Sequence, residues 1–94
     1  MTIDFFVRFM QQTADDPLLG PAHISLYAAI LLQFRQQGEQ NPISAYRREL
    51  VRISKISNRS YHKCMNDLVA GGYIDYLPSF NPFLGSLITL KIIL

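Results

Sequence analysis

One cysteine in 94 residues excludes a disulfide within the chain, so the fold must rest on a packed core and not on a covalent staple. A reducing cytoplasm fits that cysteine usage best and is the expected location. Two histidines without metal-ligand spacing give no metal site, and no cofactor is expected. Charged residues make up only 17% of the chain against 49% apolar, which is too hydrophobic for a disordered segment. Long apolar runs are also missing. The longest, Leu26 to Leu32, is seven residues, where a membrane span takes about 20. The N-terminus has no basic region ahead of an apolar stretch and no small-residue cleavage site, so neither export nor anchoring is expected.

Catalytic signatures are absent too. There is no Gly-rich phosphate loop after a strand and no paired-carboxylate motif. Ser60, His62 and Asp67 can be drawn as a triad, but on one helix they are separated by steps of about 200° and 140° and cannot converge on a substrate. No catalytic residue is assigned, and the chain reads as a binding protein, not an enzyme.

What is present is an uneven charge distribution. Net charge is only +2, yet Arg47, Arg48, Arg52, Lys55, Arg59 and Lys63 crowd between residues 47 and 63 against the single acid Glu49, leaving +5 in that window. The first twenty residues hold Asp4, Asp15 and Asp16 against Arg8. A local excess of this kind is the electrostatic footprint of a polyanion-binding face, or else a solvated helix surface.

Periodicity supplies the elements. "IDFFVRFMQQT" places Ile3, Phe6, Val7 and Met10 on one side with Phe5 and Phe9 on a neighbouring flank, which predicts a short N-terminal helix. "AHISLYAAILLQFRQQ" is apolar over most of its circumference, so this helix belongs at the centre of a core or in a shared interface. Gly38 and Pro42 punctuate the stretch after it. Pro42 and Ile43 leave room only for a very short strand before Ser44, which is the expected cap of the next helix. That helix runs from Ala45 to about Ile53, with Tyr46, Leu50 and Ile53 as its buried stripe and Arg47, Arg48 and Arg52 toward water.

After a tight connection at Lys55 and Ile56, Ser57 is a good N-cap for a helix over 58–70, with Gly71 as its stop. Tyr61, Cys64, Met65 and Leu68 share the inner face, where a small buried thiol is the reading for Cys64. An advance of about 100° per residue collects Arg59, His62, Lys63 and Asn66 on the opposite side. "YIDYL" and "SLITLKII" then read as an antiparallel hairpin, with Ile74 and Tyr76 on one side of the first strand and Ile88, Leu90 and Ile92 on one side of the second.

The run Glu49, Leu50, Ile56, Ser57, Ser60, Tyr61, Leu68, Gly72, Tyr73, Ile74 resembles the winged-helix pattern of bacterial regulators. More narrowly, "HISLYAAILLQF", "KISNRSYHKCMNDL" and "GYIDYLPSFNPFLGS" are similar to small bacterial winged-helix proteins described as transcriptional regulators and often carried by mobile elements. The broad resemblance spans residues 42 to 93 and the narrow one begins near Pro21. It implies a mainly α fold with a small β-hairpin, α+β in class, arranged as a winged helix-turn-helix. Residues 1–20 become an N-terminal helix and linker, and 21–94 a DNA-binding domain. The implied activity is sequence-specific binding of double-stranded DNA, as a transcriptional regulator or mobile-element factor. The alternatives are a replication-initiator module or a winged helix used for protein contact.

Roles follow from donor chemistry. Arg or Lys reads guanine and Asn reads adenine in the major groove, which makes Arg59, Lys63 and Asn66 base readers, with His62 as a further donor. Ser57, Asn58 and Ser60 in the first helical turn, Arg47, Arg48 and Arg52 on the preceding helix, and Lys55 at the turn are the expected phosphate contacts. This sequence departs from its relatives twice. Lys55 stands where glycine is common, so the turn takes either a positive φ at lysine or another geometry. The hairpin loop, in turn, has no Arg or Lys between Tyr73 and Lys91. Its Phe80 and Phe83 are expected to pack against the hairpin and neighbouring helices, or else to meet a protein partner or to wedge between base steps of a bent duplex. The aromatic N-terminal helix either forms a two-fold homodimer through residues 3–34 or folds back on its own domain.

Overall fold

The computed structural model describes residues 1–81 and 83–91. In chain order these form α1 (Thr2–Thr13), α2 (Pro21–Gln36), β1 (Ile43–Ala45), α3 (Arg47–Ser54), α4 (Asn58–Ala70), β2 (Ile74–Leu77) and β3 (Ser86–Leu90). The class is mixed α+β.

The helix that is apolar on most sides is the hub. Pro21 at its first position and Gly20 before it start α2, because proline has no N–H to lose there. Leu26, Tyr27, Ile30 and Phe34 are fully buried, and α1, α3, α4 and β1 all pack on this helix. Glu39, just past its end, turns back to α1: its carboxylate accepts the Thr2 N–H at 3.0 Å and the Thr2 hydroxyl at 2.5 Å. Those bonds satisfy an otherwise orphan helix-end donor and hold the Glu39 carboxyl below its usual range.

The inner face of α1 is not the expected one. Phe5, Phe9 and Thr13 point inward at i, i+4 and i+8, while Ile3, Val7 and Met10 stay exposed and Phe6 is half-buried. Two apolar stripes compete on this helix, and the one carrying two aligned aromatic rings buries more area. Phe9 stacks on Tyr27 with centroids 3.8 Å apart and meets Tyr73 edge-on at 5.2 Å, and Phe5 meets Phe34 edge-on at 5.5 Å. The helix thus folds back on its own chain.

The hairpin forms as expected: β2 and β3 are antiparallel, with Ile74 opposite Leu90 and Tyr76 opposite Ile88. Ile92, the outermost member of the expected stripe, lies outside the described residues. The very short strand is β1, which joins the other side of β3 with Ile43 opposite Ile88, giving the order β1-β3-β2. Ser44 is therefore a strand residue and no cap. Its N–H donates to Gln37 Oε1 at 2.9 Å and its carbonyl accepts from Gln37 Nε2 at 2.8 Å, so one amide side chain closes the free edge. Asn41 extends the ladder by bonding both the N–H and the carbonyl of Leu90. At Gly85 a Cβ would lie 2.9 Å from the Ala45 nitrogen, so glycine permits the approach of β1 to the hairpin.

α3 starts two residues later than expected. Tyr46 is its N-cap and 45% exposed, so the buried stripe reduces to Leu50, with Val51 and Ile53 half-buried. The turn into α4 takes the positive-φ option, with Lys55 at φ 61° and ψ 24°. For α4 the bounds, the Ser57 cap (Oγ accepting the Ser60 N–H at 3.0 Å) and the buried face of Tyr61, Cys64, Met65 and Leu68 all match the expectation from sequence. Gly71 is the C-cap, but the left-handed residue is Gly72 at φ 81°. The Gly72 N–H bonds the Val69 carbonyl and the Tyr73 N–H the Leu68 carbonyl, the paired closure that needs a glycine there.

Candidate nucleic-acid interface

Burying one side of α4 turns the other out. Arg59, His62, Lys63 and Asn66 are all exposed. Through the tight Lys55 turn, the start of α3 comes beside this face, and Arg47 Nη1 lies 3.5 Å from His62 Nε2. Arg47, Arg48, Asn58 and His62 line one side of an open groove of about 910 Å³, whose other side is formed by Tyr76 and the β2–β3 loop.

The basic residues are not equivalent. Arg52 donates to Glu49 Oε2 from Nε at 3.0 Å and Nη2 at 2.6 Å. Lys63 donates to Asp67 Oδ2 at 2.8 Å, which raises the lysine pKa and lowers that of the aspartate. Ser57 and Ser60 are engaged with each other in the cap. Arg48, Lys55, Asn58, Arg59 and Asn66 have no side-chain hydrogen bond or ion pair among the described residues, and Arg47 has only His62. Four cations without a carboxylate partner (Arg47, Arg48, Lys55 and Arg59) therefore remain on the α3–α4 surface. Exposed ion pairs are weak and exchangeable, so Arg52 and Lys63 can still be recruited by a stronger anion.

Two residues that the sequence did not single out for this surface position it. His23, buried in α2, accepts the Gly20 N–H on Nδ1 at 3.0 Å, which leaves Nε2 to donate to Asp67 Oδ2 at 2.7 Å. Asp67 thus ties the start of α2 to the Lys63 side of α4, and its carboxyl is held low by Lys63 first and His23 second. The only local signal was a polar residue three positions past Gly20, where a side chain can cap a helix start. Deeper in, burial and the neighbouring Tyr76 hydroxyl push the Tyr61 phenol up.

The β2–β3 loop contradicts the expectation of packed rings. Phe80 is 96% and Phe83 85% exposed. The loop is ordered by polar bonds instead. Ser86 Oγ accepts the Ser79 N–H at 3.1 Å, Asn81 Oδ1 accepts the Phe83 N–H at 2.9 Å, and the Tyr46 hydroxyl donates to the Phe83 carbonyl at 3.3 Å. Backbone groups satisfied this way leave no requirement for the rings to be covered.

Among the described residues no group of three or more His, Cys, Asp or Glu could hold a metal ion, and no helix is long and apolar enough to cross a membrane. No protein-family model matches the chain, nor does any curated protein or any solved structure.

Proposed function

We propose that this chain is a winged helix that binds double-stranded DNA, with α4 as the recognition helix in the major groove, in the service of transcription regulation or of a mobile element. The observation that carries the reading is the α3–α4 surface. Three cations without carboxylate partners, Arg47, Arg48 and Lys55, accompany an outward α4 face bearing Arg59, His62, Lys63 and Asn66. Cations that lack a counter-charge of their own gain most from phosphates. In this reading Arg59 and Asn66 read bases, and Arg47, Arg48 and Lys55 hold the backbone. Lys63 reads a base only after leaving Asp67.

Selection from a random duplex pool, with titration of variants on the selected site, tests this assignment. Arg59→Ala or Asn66→Ala should lose roughly 1 to 3 kcal/mol and relax the preference at one base pair. Arg48→Ala should weaken all sequences alike. Equal losses on selected and random duplexes for every variant would remove α4 from the base-reading role.

Association between copies would use the exposed side of α1 and α2, where Ile3, Val7, Met10 and Leu32 remain uncovered. Sedimentation at micromolar concentration distinguishes a dimer from a monomer.

A further inference from the structure

The groove between the helices and the β2–β3 loop has a composition that duplex reading does not require. Its lining combines the cations Arg47 and Arg48 with the rings of Tyr46, His62, Tyr76 and Phe80. Phe80 is 96% exposed on a loop that is closed by its own hydrogen bonds, so its ring is presented and not merely left over. A duplex offers phosphates to such a groove but hides its base faces in the stack. An unpaired strand offers both, and aromatic side chains beside arginines are the pairing that holds single-stranded bases. At about 910 Å³ the groove accommodates a nucleotide and not only an ion. We propose that this groove binds one or two unpaired nucleotides, by stacking on Phe80 with the flanking phosphates on Arg47 and Arg48. The protein then prefers a junction between duplex and single strand to a continuous duplex.

The absence of Arg or Lys in the loop agrees with this occupant. A loop that enters a minor groove needs positive charge, whereas a stacking platform does not. An acidic, aromatic peptide is the competing occupant. It would meet the same arginines and the same ring, and the peptide arm of the experiment separates it.

The proposal rests on the DNA-binding reading, and the experiment separates the two. Binding of the full chain is measured by fluorescence anisotropy with a duplex of about 20 base pairs, either blunt or carrying a thymidine tail of about five nucleotides, and with the tail oligonucleotide alone. A fluorescent adenine analogue in the tail reports stacking. The wild type should bind the tailed duplex about tenfold more tightly than the blunt one and change the analogue's emission. Phe80→Ala should abolish that preference while retaining blunt-duplex affinity, and Phe80→Tyr should restore it. Equal affinity of the wild type for tailed and blunt duplexes overturns the groove proposal and leaves duplex reading standing. Binding to the tail alone, but not to blunt duplex, supports the groove and overturns duplex reading. Binding of an acidic, phenylalanine-containing peptide that displaces no tail, with no tail preference, assigns the groove to protein and also overturns the proposal.

Discussion

Phe9 and Phe80 are the same residue in two regions that obtain order by opposite means. Phe9 is fully buried between Tyr27 and Tyr73, and α1 has little reason to stay in place without it and Phe5. Phe80 is almost wholly in solvent, on a loop held by Ser79, Asn81, Ser86 and Tyr46. Hydrophobicity of a side chain states what burial would release; whether burial happens depends on whether some element lies over it. The helical side of the molecule is held by apolar packing, and the loop beside the basic face by hydrogen bonds that leave its rings for other work.

The strongest way to break this comparison is at Phe9. Phe9→Ala should cost about 3 to 5 kcal/mol, because the ring is fully buried and stacked, and at about 4 to 8 °C per kcal/mol the melting temperature should fall by roughly ten degrees or more. Asp67→Ala comes next. It strands the buried Nε2–H of His23, a loss of about 1 to 3 kcal/mol in denaturant titration, whereas Asp67→Asn keeps an acceptor and should cost less.

The same aspartate sets a pH dependence. Its folded pKa lies below the ordinary 3.8, so the stabilisation it contributes is fully present above that value and is lost as pH falls through the depressed one. Thermal melts of the wild type against Asp67→Asn should converge on acidification below about 3.8.

A smaller test sits inside the stack. The Tyr27 hydroxyl is buried with no partner among the described residues, and burial raises its pKa. Tyr27→Phe should therefore be neutral or stabilise by up to about 1 kcal/mol, the reverse of the usual sign for a core substitution. The smallest effect is expected at the exposed loop. Phe83→Ala should change stability by no more than about 0.5 kcal/mol in the same titration. A loss near that of Phe9→Ala would mean that the loop rings are packed after all.

Much of the site was legible from the chain. The bounds of α4 were readable because a serine cap, apolar residues at 61, 64, 65 and 68, and a glycine pair all agree. At Lys55 the sequence left two options, a positive φ or another turn, and the fold takes the first. The inner face of α1 was not readable, since both its stripes are apolar and only the partner ring at Tyr27 decides between them. β1 is three residues long and its partner strand lies more than forty residues away, at Ile88, so neither its extent nor its place in the sheet has a local signature. Charge counting in a window also misled in one respect. Lys63 is matched by Asp67, four residues on and outside the window, while His23 reaches that aspartate across 44 residues. Phe80 and Phe83 looked like core because of their type, and nothing nearby in sequence says that no element covers them.

In the proposed function the α3–α4 face binds DNA phosphates through cations that have no carboxylate partner. Anisotropy titrations of a random-sequence duplex across a range of salt concentrations test it most directly, with the wild type beside Arg48→Ala and Arg52→Ala. Three phosphate contacts, from Arg47, Arg48 and Lys55, correspond to a slope of log K against log salt of roughly −2.5 to −3. Arg48→Ala should reduce the magnitude of that slope by about one, and Arg52→Ala, whose guanidinium is already held by Glu49, by less. Duplex binding that does not respond to salt, or no duplex binding at low salt, would contradict the claim.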